Sequence, residues 1–329
     1  MKEIGILGAG AFGTAMATVA ARAGLKVTLW GFEQEIIDDI NASHTNTCFL
    51  PDVTLDSKIR ATNDFQNVCD NEAVLIAVPT VYLRAIVSQA AKHWQPNVPA
   101  LICSKGVEQD TCMLMAEVVK DCLGHNAIIA SMGGPTFAHE IANDLPSATT
   151  VACADLKVSE NLAKALSSPH FRAYASNDII GTQLGGAVKN VLAIACGIVT
   201  GKGLGDNARA ALITRGLSEI NALGLVLGAQ THTLMGLSGL GDLTLTCNAM
   251  QSRNFSLGFD LGQGENLNDI LAHRKTIAEG YFNAKTVTEL ARRNQVDMPI
   301  CIAVEAVLNL DADLDAIIHG LLSRPLVNE

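Results

Sequence analysis

The sequence predicts an α/β protein in two parts: a doubly wound parallel sheet over residues 1–179, then an all-α domain over 180–329. Three observations predict it. An apolar run, Ile4-Gly5-Ile6-Leu7, ends in Gly8-x-Gly10-x-x-Gly13 and passes at once into a helix of small residues. Short apolar runs then alternate with helical patterns as far as residue 175, the pattern of βαβ units. From Ile179 on, strand-like runs nearly vanish and long helical patterns take over. At 329 residues the chain is long enough for two sizeable cores.

Residues 3–31 read as strand, helix, strand. In the glycine turn, Gly8 permits the tight bend, Gly10 lets the backbone approach a pyrophosphate, and Gly13 lets the helix sit on the strand. Ala11 and Phe12 complete this segment. The helix N-terminus adds unbonded N–H groups and a partial positive charge for the anion. Such a turn can be purely structural. The strand before it and the strand at 26–30 after it favour a dinucleotide site of the Rossmann type. A secretory-signal reading of the same stretch fails, because Glu3 sits in the would-be basic end and glycines break the apolar region.

A short helix over 34–42, a loop over 44–55 with Pro51, and a short strand over 58–62 follow. Residues 73–78 form a continuous apolar run closed by Pro79, the form of a buried parallel strand. Next come a helix over 81–93, a strand over 100–103 ending at Ser104-Lys105-Gly106, a helix over 111–123 and a strand over 127–131. Met132-Gly133-Gly134-Pro135-Thr136 breaks the chain before another helix. Strands at 148–153 and 171–175 flank a helix at 156–166, and the whole sheet is expected to be parallel. Ligands on such sheets sit beyond the carboxyl ends of the strands. Residues 8–13, 78–79, 104–105 and 133–136 all fall at such ends. In the second domain, helices are expected over 181–199, 207–223, 284–294 and 300–308, with an unassigned middle segment. There is no tandem repeat or low-complexity tract.

Composition narrows the function. Hydrophobic residues make up 49% and aromatic residues 4%, so the core is aliphatic. A net charge of -10 speaks against a nucleic-acid surface and makes local cations stand out. The 9 cysteines are odd in number and form no C-x-x-C, which fits reduced thiols in a cytoplasm rather than a disulfide frame or a zinc site. His44, His93, His125 and His232 show no ligand spacing, and no metal is expected. No apolar run reaches the roughly 18 to 20 residues a membrane helix needs. The longest tempting run, 191–201, is too short, so no membrane insertion is expected.

Four places could carry chemistry. Lys189 lies in Gly185-Gly186-Ala187-Val188-Lys189-Asn190-Val191, where composition predicts core. Burial lowers the pKa of a lysine and makes it a proton donor near neutral pH. The double glycine would thin the helix so that something can approach. The alternative is a lysine that snorkels outward. Lys105 follows a strand at the ligand edge of the sheet, and could equally be a solvated loop residue. Asp242, after Gly239-Leu240-Gly241, could orient a lysine, bind a substrate hydroxyl, or simply cap a helix. Ser252-Arg253-Asn254 offers phosphate ligands at a helix start, the arginine as a fork of donors, or forms an ordinary surface loop.

Taken together, GAGAFGTA at 8–15, LWG at 29–31, SKGVE at 104–108, GPTFAHE at 134–140, LPSA at 145–148, QLGGAVKN at 183–190, NARAALITRG at 207–216, GLGDLTLTC at 239–247, QSRN at 251–254 and AEG at 278–280 resemble one family. It is the bacterial-type NAD(P)-dependent sn-glycerol-3-phosphate dehydrogenases, with the Rossmann sheet and all-α C-terminal domain of the 6-phosphogluconate-dehydrogenase-like architecture. The resemblance runs in order through nearly the whole chain. It implies reversible reduction of dihydroxyacetone phosphate to sn-glycerol 3-phosphate, a source of phospholipid backbone. It implies that Lys189 is the catalytic acid/base, that Lys105 meets both substrate and cofactor, and that Asp242 binds substrate and holds the lysine network. It places Gly134, Thr136, Asn190, Ser252, Arg253 and Asn254 on the substrate, with Arg253 and Asn254 at the phosphate. It places Gly8, Gly10, Ala11, Phe12, Gly13, Phe32, Lys105, Ala138, Arg253, Ile277 and Glu279 on NAD or NADP.

Three departures from the family pattern stand out. Ala11 replaces a common Ser, His139 replaces a usual Lys or Arg, and Phe32 stands where relatives carry a basic or polar residue. An acid at the end of the second strand favours NAD and an arginine favours NADP. Glu33 is one residue late for the first, so cofactor preference stays open. The rivals are a 6-phosphogluconate-like or ketopantoate-reductase-like dehydrogenase, which would lack the joint set of motifs, and a non-catalytic NAD(P)-binding redox sensor, which would have no use for Lys105, Lys189 and Asp242. A homodimer is the prior for such a cytoplasmic dehydrogenase.

Overall fold

The computed structural model describes residues 1–274 and 278–325. Contacts divide them into two compact units, one of 1–108 and 113–183, the other of 109–112 and the residues from 184 on.

The first unit runs β1 (Glu3–Leu7), α1 (Ala11–Arg22), β2 (Lys26–Trp30), α2 (Gln34–Ser43), β3 (Ile59–Thr62), α3 (Phe65–Cys69), β4 (Val74–Ile76), α4 (Thr80–Ala90), β5 (Ala100–Ile102), α5 (Met115–Leu123), β6 (Ile129–Gly133), α6 (Ala138–Ala142), β7 (Ser147–Cys153), α7 (Leu156–Leu166) and β8 (Phe171–Ser176). The strands form one 8-stranded sheet in the order 3-2-1-4-5-6-7-8. Its first six strands have the doubly wound Rossmann order. Alternate residues of the central strands feed two cores. Ile6, Leu75 and Leu101 pack with α1 and α2 on one face. Leu7, Ile76 and Ile102 pack with α4 and α5 on the other. That double burial is why these strands read as unbroken apolar runs.

The sheet is not wholly parallel, as the sequence had suggested. β6 and β7 pair antiparallel, and β8 then runs parallel to β7. Helix length is the reason. A parallel return needs a crossover long enough to carry the chain back along the strand. α6 has only 5 residues, about 7.5 Å of helix, whereas β7 has 7 residues, about 23 Å of strand. α7, with 11 residues, does make the crossover to β8. The helix expected over 111–123 is also shorter. Cys112 is left-handed at φ 60°, and the Glu117 carboxylate accepts from Leu114 N at 2.7 Å, so the helix is capped there and starts at Met115.

The second unit is helical. Its elements are α8 (Ile179–Gly201, whose first turn belongs to the first unit), α9 (Asp206–Leu227), α10 (Thr231–Leu234), a π-turn (Leu237–Gly241), α11 (Asp242–Asn248), α12 (Arg253–Gly262), α13 (Leu267–His273), α14 (Glu279–Arg293), α15 (Pro299–Asn309) and α16 (Leu314–Leu322). The apolar run at 191–201 proves to be part of a 23-residue helix, so α8 is long and apolar enough to cross a membrane. It is instead a core helix, with 89% of its most apolar stretch buried. α9 is the second helix of that length and composition, but only 28% of its corresponding stretch is buried. All 9 cysteines are free thiols, and Cys48 is the exposed one.

Candidate active site

In the first unit the glycine turn joins β1 to α1. Gly8 has φ 115°, a left-handed conformation that side chains resist. A Cβ on Gly13 would lie 1.8 Å from Gly8 O, so only glycine lets the helix close on the turn. Gly10 differs: it caps α1, and a Cβ there would meet nothing within 4 Å. Its openness is toward whatever approaches the helix end. Ala11 and Phe12 begin α1, which has no acidic residue in its first turn and no side-chain cap. An open, uncapped helix N-terminus behind a left-handed glycine fits the pyrophosphate of a dinucleotide.

Three other predicted residues come together beyond the strand ends of the same unit. Lys105, just after β5, donates from Nζ to Gly134 O at 3.1 Å. Thr136 Oγ1 donates to the same carbonyl at 3.1 Å. Gly134 has φ 151°, and a Cβ there would sit 2.9 Å from Thr149 Cα, so only glycine lets this turn pack on β7. Burial pushes the neighbouring Cys103 thiol up to about 12, which keeps thiolate away from Lys105. Ala138 opens α6. Phe32 stands 78% exposed beyond β2.

In the second unit Lys189 is 6% exposed and Asp242 1%. The lysine does not snorkel. Its Nζ donates to Asp242 Oδ1 at 2.6 Å and to Thr246 Oγ1 at 2.7 Å. Asp242 is not a cap either, since Gly241 is the N-cap of α11 and makes no side-chain bond. The π-turn sets this up. Gly185 of α8 lies so close to it that a Cβ would fall 2.2 Å from Ser238 O. What approaches the thinned helix is therefore the protein's own backbone. Burial first, then the Cys196 thiol, holds Cys247 well above the ordinary thiol range, leaving it a neutral neighbour of the pair.

A second chain of bonds runs beside the first. Asn254 Nδ2 donates to Asn190 Oδ1 at 2.9 Å, and Gly280 N donates to Asn254 Oδ1 at 2.8 Å. These bonds fix the start of α14, where Glu279 stands. Ser252 serves as a helix cap, accepting from Phe255 N at 3.2 Å. Arg253, the first residue of α12, is exposed. Ile277 lies outside the described residues. Thr246 is the member that sequence reasoning missed. Its signal was spacing, since it lies four residues after Asp242 on one helix face.

A glycine-turned sheet that accepts a dinucleotide, with a helical unit that buries an ammonium against a carboxylate, defines a dinucleotide-dependent oxidoreductase. Residues 3–159 match the model of the NAD-dependent glycerol-3-phosphate dehydrogenase N-terminus, and residues 178–319 that of its C-terminus. The chain belongs to the NAD-dependent glycerol-3-phosphate dehydrogenase family. It is 52% identical over 327 residues to glycerol-3-phosphate dehydrogenase [NAD(P)+] of Rhodospirillum rubrum, covering 99% of this chain and 93% of that one. It is 49% identical over 328 residues to the protein of the same name from Caulobacter vibrioides, covering 100% and 99%. The crystal structure of glycerol-3-phosphate dehydrogenase from Coxiella burnetii superposes with a TM-score of 0.93 at 37% identity, covering 98% of this chain and 99% of that one.

Proposed function

We infer that this chain catalyses the reversible NAD(P)-dependent reduction of dihydroxyacetone phosphate to sn-glycerol 3-phosphate. The observation that carries the chemistry is the buried Lys189–Asp242 pair in a chain of this family. When bound, the reduced dinucleotide supplies the hydride to the carbonyl carbon. Lys189 gives a proton to the carbonyl oxygen as the alcohol forms, and takes it back in the oxidation direction. Asp242 and Thr246 accept from its Nζ and fix its position, so the proton is delivered from one place.

The remaining roles follow from residue chemistry. Lys105 is the cation of the sheet unit that meets substrate and dinucleotide, steered by Gly134 O. Gly134 and Thr136 bind substrate. Arg253, with Asn254 and the Ser252-capped start of α12, holds the phosphate, while Asn190 keeps Asn254 in place. Gly8, Gly10, Ala11, Phe12, Gly13, Phe32, Ala138, Ile277 and Glu279 serve the dinucleotide. The division of labour is by domain: residues 1–179 hold the dinucleotide, and residues 180–329 supply the acid and the phosphate grip. The product feeds phospholipid synthesis in the cytoplasm. The chain works as a homodimer that covers α9, an apolar helix with Leu225 54% and Val226 57% exposed.

Consumption of NADH or NADPH with dihydroxyacetone phosphate tests the reaction. Turnover with either supports it, and none with either despite nucleotide binding returns the sensor reading. Light scattering reads the oligomer: a single-chain mass at micromolar concentration rejects the dimer.

A further inference from the structure

The end of β2 carries a specificity that the family's two-cofactor name leaves open. Gly8 N donates to Trp30 O at 3.0 Å, so the glycine turn abuts the end of β2. Gly31 packs on the same turn, since a Cβ there would lie 3.2 Å from Ala9 Cβ. Phe32 and Glu33 therefore emerge beside the turn. A loop borders it from another direction. Asn46, 1% exposed, donates from Nδ2 to Ala9 O and to Thr14 Oγ1, both at 2.8 Å. Beyond Gly31, whose N donates to Thr62 O at 3.0 Å, lies the end of β3.

These segments, 8–14, 30–35, 44–50 and 62–65, contain Glu33, Glu35 and Asp64 but no lysine or arginine. Asp64 is spent as the cap of α3, accepting from Gln66 N at 2.9 Å. Glu33 is not spent: it is exposed at the N-cap position of α2, and its carboxylate makes no cap bond. The nearby cations lie earlier along their strands. Lys26 is paired with Glu3 at 3.0 Å, and Arg60 is in register with Thr28, two residues before the end of β2.

We propose that this chain is an NAD(H) enzyme that discriminates against the 2′-phosphate of NADP(H), with Glu33 as the deciding residue. The inference rests on reading the glycine turn as the dinucleotide site. A ribose 2′-hydroxyl donates to a free carboxylate, and that bond is lost when the hydroxyl is esterified. A 2′-phosphate dianion then faces the Glu33 charge with no guanidinium to hold it. Glu33 sits one residue beyond the usual acid position, and Gly31 accounts for the offset: its packing on Ala9 uses up the first position after β2. Exposed Phe32 offers its ring to the adenine in both nucleotides and does not discriminate.

The test is equilibrium binding, without substrate, of NADH and NADPH to the full chain, read by nucleotide fluorescence. The wild type is expected to bind NADH at least about 10-fold tighter. Glu33→Arg is expected to bring the ratio to about 1 or invert it by tightening NADPH, and Glu33→Gln to narrow it several-fold. Equal or tighter binding of NADPH by the wild type overturns the proposal and makes Arg60 or His44 the phosphate ligand. An unchanged ratio in both variants overturns the role of Glu33. A binding ratio as expected, but no turnover of dihydroxyacetone phosphate with either nucleotide, would sink the reaction and leave this inference standing.

Discussion

The glycine turn of the first unit and the Lys189 cluster of the second are built from opposite materials. The glycine turn is shaped by missing side chains: at Gly8 and Gly13 the protein's own backbone takes the place of a Cβ, and at Gly10 that place is open. The Lys189 cluster is made of charged and hydroxyl side chains, held in a core that would otherwise be aliphatic. The contrast shows how each resists change. A backbone cradle fails when an atom is added, and a buried charge cluster fails when one is removed.

The largest effect should come from breaking the cluster. Lys189→Met removes the proton donor and takes from buried Asp242, 1% exposed, its ammonium partner. Turnover should fall by about 10²- to 10⁴-fold, with about 3–5 kcal/mol of stability lost. The double variant Lys189→Met/Asp242→Leu should regain most of that stability and none of the turnover. Thermal denaturation beside single-turnover kinetics reads both. A double variant as unstable as the single one would mean that Asp242 is not carried by the lysine.

The glycine turn gives the next largest effect and separates two residues of one motif. Gly13→Ala puts a Cβ at 1.8 Å from Gly8 O, so both stability and dinucleotide binding should be lost, the former by about 1–3 kcal/mol. Gly10→Ala meets nothing within 4 Å of the protein, so its melting temperature should stay put while nucleotide Kd rises by about 10-fold or more. Equal destabilisation of the two would show that the opening at Gly10 is filled by the protein itself. A smaller effect is expected at Asn254→Ala. It strands Asn190 Oδ1 and Gly280 N, costing about 1–3 kcal/mol and raising the KM for dihydroxyacetone phosphate more than it lowers kcat.

The same contrast explains what could be read in the sequence. The glycine turn was legible because its physics is local: spacing, a strand before it and a helix after it. The first six strands were legible because parallel strands buried on both faces must be continuously apolar. The reversal at β7 was not, since it depends on how short α6 is, and five-residue helices leave almost no periodic signal. The Lys189 cluster was legible only as a possibility. A lysine in an apolar helix can snorkel or be buried, and what decides is Asp242, 53 residues away in sequence. That something approaches at Gly185 was legible, but what approaches was not, because that backbone belongs to a π-turn that no sequence pattern announced. The family motifs, running in order, supplied the long-range pairing that local rules could not.

A second buried carboxylate sharpens the comparison within the helical unit. Glu219 of α9 is 6% exposed and takes its partners from the start of α15, two backbone N–H groups and the Cys301 thiol. Ile300 N donates to it at 2.7 Å and Cys301 N at 3.2 Å, the first N–H groups of α15. Burial raises its pKa from 4.5 to about 7, and these two N–H bonds only partly oppose the shift. The folded chain therefore holds this proton at pH values where the unfolded chain has released it. Stability from this group is fully present below pH 4.5 and is lost as pH rises through 7. The span is about 3 kcal/mol at most, from about 1.4 kcal/mol per pKa unit. Glu219→Gln should flatten that part of the stability curve while leaving kcat unchanged, because no substrate role is assigned to α9. The check is the difference in melting temperature between wild type and variant from pH 5 to pH 8 at fixed ionic strength. A difference that does not change with pH would mean that the two backbone donors hold Glu219 ionised, and that helix-end dipoles can stand in for a lysine in this core.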